Sequence, residues 1–288
     1  MVRERSALKD RNDSCPPVVF IAADIEGTSA YVKWPLQPPE EAWHRKQMTA
    51  EVNAAIEGAL AAGVKEVIVS DIHWTKQNIL PDLLNPCATL IRGSGRKLLS
   101  MDGVKNAQLV FLIGFHACAG RTNAILPHTL DTRIVRMKIN GREAGEIFLT
   151  AAIAGYFGVP LGMVTGDRAA VDEAGEFFPT IEKVTVKEGI GSNAAVCLHP
   201  AKSLTEIRCA AERAVERAMN GEFSPYRLPD LVTLEIEFIW PDYAGVLSLI
   251  PGVLRSGGRE ITYVGRWPDI IKIISLFVNW LKEIPGIF

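Results

Sequence analysis

Between Val18 and Gly27 the sequence runs VVFIAADIEG, an apolar stretch that breaks into two carboxylates two positions apart. If Val18 to Ala23 is a strand, its side chains alternate between faces, so Asp24 and Glu26 project to the same side just beyond its end. Two carboxylates so placed repel each other unless solvent, a proton or a cation intervenes, and a divalent metal is the strongest of these. A solvated strand-to-loop junction is the ordinary reading of this decapeptide alone. A metal site requires further ligands from elsewhere in the chain.

They recur at one kind of place. Lys65 to Asp71 is a second β-branched run, closing in Asp71-Ile72-His73, and Gln108 to Ile113 a third, closing in Gly114-Phe115-His116. The helical spacing of Trp43, Met48, Val52, Ala55, Ile56 and Ala59 predicts a helix over Glu40–Ala62. Strand, helix, strand implies a right-handed parallel crossover. In open sheets of this kind the carboxyl ends of the strands share one edge, and ligands bind there. His128 follows in a polar loop, and Glu146 falls in the first turn of a helix expected over Gly145–Phe157. Singly, each histidine has an ordinary role, and Glu146 could serve only the helix dipole. Together they form a mixed carboxylate and imidazole set that suits zinc and disfavours calcium. Asp71 and Asp167 read as caps or supports. Cys118, His44 and His199 read as structural.

The remaining pattern predicts an α/β fold: a three-layer α/β/α arrangement with a mostly parallel sheet, plus a smaller C-terminal α+β lobe. The expected division is a flexible N-terminal tail at 1–17, a metal-binding catalytic domain at 18–222, and the smaller lobe at 223–288, a candidate for oligomer contacts. Pro35, Pro38 and Pro39 assign Thr28–Pro39 to an irregular loop. Asn140-Gly141 signals a hairpin after Arg133–Ile139. Leu231–Phe238, Tyr243–Leu249, Glu260–Val264 and Asp269–Lys282 read as strand, helix, strand, helix.

Composition narrows the function classes. A net charge of −2 with 22% charged residues, and no basic run with interleaved aromatics, argues against nucleic acid. Ile270–Leu281 is too short to span a membrane. Five cysteines without a CxxC pattern read as reduced thiols, and the charged N-terminus has no apolar signal core, so the expected location is cytoplasmic.

In order and spacing, D-I-E-G at Asp24–Gly27, S-D-I-H at Ser70–His73, G-F-H-A at Gly114–Ala117, His128 and G-E at Gly145-Glu146 resemble the DppA-like D-aminopeptidases, a family of zinc metallopeptidases. The similarity runs from about Val18 to the last helix and includes T-G-D at Thr165–Asp167 and C-L-x-P-A-K at Cys197–Lys202. The resemblance implies a hydrolase of short peptides with an N-terminal D-amino acid, D-Ala in type. It further implies two zinc ions per subunit held by Asp24, Glu26, His73, His116 and Glu146, with Asp24 the natural bridge, and His128 as the catalytic residue. From chemistry alone His128 suits an acid/base or an oxyanion donor better than a nucleophile. A homo-oligomer, a decamer of two pentameric rings, is also implied. Two departures stand out: Ala30 where the family commonly has glycine, and Pro127 and Thr129 in place of serines beside His128. A binuclear amidase or phosphoesterase, or an oligomeric scaffold with structural zinc, are the competing readings.

Overall fold

The computed structural model describes residues 17–34 and 38–283; the expected tail lies outside them apart from Pro17, as does Pro35 of the predicted loop. In chain order the elements are β1 (Val18–Ala23), α1 (Pro38–Ala61), β2 (Glu66–Asp71), β3 (Ala88–Ile91), β4 (Leu109–Phe115), β5 (Ile134–Ile139), β6 (Arg142–Glu143), α2 (Glu146–Tyr156), β7 (Leu161–Asp167) and α3 (Arg168–Phe177). They continue with β8 (Glu182–Gly191), β9 (Ala194–Cys197), α4 (Pro200–Met219), β10 (Val232–Phe238), α5 (Pro241–Leu247), β11 (Leu254–Arg255), β12 (Glu260–Gly265) and α6 (Trp267–Glu283). Pro38 and Pro39, expected in the loop, instead open α1, where a fixed φ and a missing N–H are no handicap.

Seven strands form the main sheet in the order β3-β2-β1-β4-β7-β8-β9. All neighbours pair in parallel except the last, where β9 turns back on β8. The α/β class with its mostly parallel sheet is therefore as expected. Because β1 is buried on both faces, its side chains part cleanly by parity. Val19, Ile21 and Ala23 pack with Met48 and Val52 of α1 and with Ile207 and Ala211 of α4. Phe20 and Ala22 face the opposite core with Val110, Leu112 and α2 residues such as Phe148.

From β1 the chain winds outward through β2 and β3, then returns to lay β4 on the other side of β1. The order of the sheet thus reverses between β1 and β4, and the carboxyl ends of these two strands frame the crevice that open α/β sheets use for binding.

A second, smaller sheet draws on two parts of the chain. It runs β11-β12-β10-β5-β6, so the hairpin at 134–143 joins strands from beyond residue 222. Asn140 makes the predicted hairpin turn at φ 52° with Gly141 at 77°. β5 then pairs antiparallel with β10, from Ile139 opposite Leu234 to Ile134 opposite Phe238. Helix α6 closes the lobe by burying Ile270, Ile274 and Phe277, with Leu276 left outside. Among the described residues no helix is long and apolar enough to cross a membrane, and Cys87, Cys118, Cys197 and Cys209 are free.

Candidate metal centre

The segment after β1 is the first wall of the site. It crosses the end of β4 in close backbone contact: Asp24 N donates to Ile113 O at 2.9 Å, and Gly27 N to Gly114 O at 2.8 Å. Only glycine permits this approach. A Cβ on Gly27 would lie 1.9 Å from Phe115 O, and one on Gly114, whose φ is +74°, would lie 2.3 Å from Asp24 O. The crossing aims both carboxylates at the crevice, and both are buried.

His73 at the end of β2 completes a first group. Its Nδ1 lies 3.1 Å from Asp24 Oδ1 and 2.8 Å from Glu26 Oε2. The other oxygen of Glu26, Oε1, accepts from Trp34 Nε1 at 2.8 Å, which fixes the plane of the carboxylate. A second group lies beside it. His116 Nε2 is 3.2 Å from Glu146 Oε1 and 3.6 Å from Asp24 Oδ2. His128 stacks on His116 with ring centroids 3.9 Å apart, and its Nε2 is 3.8 Å from Glu146 Oε1. Both rings present Nδ1 to a backbone carbonyl at 2.9 Å, His116 to Ala117 O and His128 to Leu126 O. A nitrogen facing a carbonyl is the donor, so in each neutral ring Nε2 carries the lone pair and faces the centre. Glu146 is oriented in turn by Leu130 N, which donates to its Oε1 at 2.8 Å.

Asp24 thus has one oxygen beside His73 and the other 3.6 Å from His116 Nε2. Donor atoms of Asp24, Glu26 and His73 lie within 4.8 Å of one another, as do those of His116, His128 and Glu146. Two of these atoms, Glu26 Oε2 and His116 Nε2, are buried and make no well-aligned hydrogen bond, their nearest polar neighbours being His73 Nδ1 at 2.8 Å and Glu146 Oε1 at 3.2 Å. Buried carboxylate and imidazole atoms grouped this closely fit a zinc-type cation.

The electrostatics carry the same message. Burial, then the charge of Glu26, pushes Asp24 up to about 7. Burial opposes charge on His73, yet Glu26 and Asp24 outweigh it and raise the imidazolium to about 10. Burial also works against ionised Glu146, but His116 holds it at about 2. Without a metal the cluster relieves its own repulsion by keeping protons on imidazole, and a dication would displace them. His128 moves the other way: burial and the charge of His116 lower it, which favours a neutral ring.

All six predicted residues meet at this crevice. Asp71 does not join them; it accepts from Asn78 N and Ile79 N at 2.5 and 2.8 Å and so shapes the loop beyond His73. Asp167 caps α3 and also accepts from Ile125 N at 2.8 Å. Beyond the cluster opens a cavity of about 760 Å³ walled by Trp74, Arg96 and Leu130 and, from α6, by Ser275, Val278 and Asn279. Ala30, at the position where glycine was expected, has φ 62°, a left-handed conformation that costs a side-chain-bearing residue roughly 1–2 kcal/mol. Sequence reasoning missed Trp34, Glu51, Glu173 and Lys187. All four touch the ligand-bearing loops from distant or unremarkable positions, and no local pattern marks them.

Comparison with known proteins identifies the family. The family model described as D-aminopeptidase (peptidase M55) matches residues 18–277. A D-aminopeptidase of Bacillus subtilis (strain 168) is 34% identical over 219 residues, spanning 75% of this chain and 78% of that protein. The solved structure of the Zn-dependent D-aminopeptidase DppA from Bacillus subtilis, described as a self-compartmentalizing protease, superposes with a TM-score of 0.86 at 28% identity. That match covers 94% of this chain and all of the other. This chain belongs to the D-aminopeptidase family of peptidases.

Proposed function

We propose that the protein is a zinc-dependent aminopeptidase that removes an N-terminal D-amino acid, of D-Ala type, from short peptides at a two-metal site. The observation that carries this reading is the closeness of two ligand groups, Asp24–Glu26–His73 and His116–His128–Glu146, with Asp24 between them: its oxygens lie 3.1 Å from His73 Nδ1 and 3.6 Å from His116 Nε2. Asp24, Glu26 and His73 would hold one ion, and Asp24, His116 and Glu146 the other. Bound zinc supplies Lewis-acid polarisation of the scissile carbonyl and makes water a competent nucleophile near neutral pH.

The chain's own groups do the rest. Trp34 and Leu130 N keep the carboxylates of Glu26 and Glu146 in one orientation. His128 Nε2, neutral and facing the centre, takes or returns a proton as the tetrahedral carbon forms and collapses. The cavity has room for a few residues of peptide, which supports short substrates. A homo-oligomer, the decamer implied by the resemblance, belongs to the same proposal. It is supported by the apolar side chains that the smaller lobe exposes, among them Trp240, Leu249, Leu254 and Val264. A cytoplasmic location is part of it too, supported by the free cysteines.

The test is zinc per chain by elemental analysis, together with hydrolysis of matched D-Ala and L-Ala dipeptides. Two zinc ions and a preference for the D-dipeptide are expected. A protein that binds two ions but cleaves only phosphate esters or non-peptide amides would overturn the substrate assignment, and one with no zinc would overturn the whole reading.

A further inference from the structure

Lys187 lies in β8, separated from β1 by β4 and β7 in the sheet, and is 1% exposed. Its Nζ reaches the segment after β1 and donates to three backbone oxygens: Glu26 O at 2.5 Å, Thr28 O at 2.7 Å and Tyr31 O at 2.5 Å. An ammonium has three N–H donors and here each has its own carbonyl. No carboxylate takes any of them; opposing charge comes at longer range from Asp167 and Glu51. A buried cation spent wholly on backbone is costly, and an apolar side chain would fill the same space more cheaply.

What the ammonium does is hold three carbonyl dipoles pointed at one spot. Residues 26–31 thereby wrap around it much as a loop wraps a bound metal ion, except that this cation is tethered to the sheet. Glu51 of α1 grips the same turn from the other side, where its Oε1 accepts from Ser29 N at 2.8 Å and from Gln47 Nε2 at 3.0 Å. The turn so fixed carries Glu26 at its start and leads to Trp34, whose indole orients the Glu26 carboxylate. Without the ammonium the three carbonyls repel one another, the turn relaxes, and Glu26 and its indole partner lose their alignment together.

We propose that Lys187 is a positioning residue that presets the 26–31 turn, and through it the Glu26 carboxylate, for metal binding. The inference rests on the metal-site reading above and adds to it a part for a residue that touches neither metal nor substrate. Such supporting groups typically govern metal affinity by 10- to 100-fold.

The experiment compares wild type with Lys187→Met, which keeps the length of the stem but removes the charge and all donors. Zinc affinity is read by competition with a chromogenic chelator, ligand geometry by the visible spectrum of the cobalt(II)-loaded protein, and fold by melting of the metal-free form. The expected result is zinc affinity lower by roughly 10- to 100-fold, with an altered cobalt spectrum. Zinc affinity within about twofold of wild type and an unchanged cobalt spectrum would overturn the proposal, even if the variant melts earlier, because a purely structural lysine moves only the melting temperature. If Lys187→Met does not fold, Lys187→Gln, which keeps an amide donor without charge, must show an intermediate loss of zinc affinity; an unchanged affinity overturns the proposal equally. A wild-type protein that binds no zinc would instead remove the metal-site reading itself.

Discussion

Asp24 gives one oxygen to the His73 side of the centre and the other to the His116 side, at 3.1 and 3.6 Å, whereas Glu146 faces only the His116 side. Replacing either carboxylate by its amide should therefore have unequal consequences. An ion that binds only the native state, at a free concentration about 1,000 times its Kd, stabilises the fold by about 4 kcal/mol. For 288 residues the unfolding entropy near the midpoint is about 0.6 kcal/mol/K, so each ion should raise Tm by about 7 °C and two by about 14 °C. Glu146→Gln should keep the first increment and lose the second. Asp24→Asn should lose both. The assay is thermal unfolding with and without zinc, paired with elemental analysis of the gel-filtered protein. If Asp24→Asn retained one zinc and its increment while Glu146→Gln lost both, Asp24 would not be the shared ligand and the two-metal arrangement would have to be redrawn.

Three further outcomes are expected. His128→Ala should keep its zinc and lose about 10²–10⁴ in kcat, measured on a D-Ala dipeptide beside metal content; parallel loss of metal would make His128 a ligand instead. In the metal-free protein His73 is raised to about 10 from its ordinary 6.5. Its contribution to stability is thus complete below pH 6.5 and lost as pH rises through about 10, while the stabilisation by zinc, which must expel that proton, grows over the same range. A urea midpoint of the metal-free form that stays flat from pH 6.5 to 10 would contradict this. Gly114→Ala meets both a left-handed φ and backbone at 2.3 Å, so it should cost about 2–4 kcal/mol in urea unfolding. Gly120→Ala, at φ +85° with nothing within 4 Å, should cost only about 1–2, and equal losses would show that the close approach to Asp24 carries no energy.

The candidate ligands were legible because they sit where a short code applies. A parallel strand buried on both faces reads as a continuous apolar run, and its end is visible as the first polar residues, which is how Asp24, Glu26, His73 and His116 could be found together. Glu146 was less so: the first turn of any helix favours an acid, and only the order of motifs singled it out. The hairpin was readable from Asn140-Gly141, but its partner strand was not, because turn chemistry sets the register within a hairpin and says nothing of the strand that will pair with its outer edge. Lys187 was invisible for a related reason. It stands 161 positions from Glu26 in a stretch, VTVKEGIG, that carries no local sign of the contact, and only the path of the turn over β4 brings the two together.

The joining of β5–β6 to the smaller sheet has a consequence for how this enzyme can diversify. Asp24, Glu26, His73 and His116 all ride on the main sheet, while much of the cavity's far wall, including Ser275, Val278 and Asn279, rides on α6 of the other. Reactivity and selectivity are in that sense carried by different chassis. The far wall can be resurfaced, or shifted as a body, without moving those four candidate ligands. The coupling runs through the hairpin, which leads by way of Ala144 and Gly145 straight into Glu146. Drift in the smaller sheet would reach the site there first, at Glu146 beside His116, leaving the Asp24–Glu26–His73 group undisturbed.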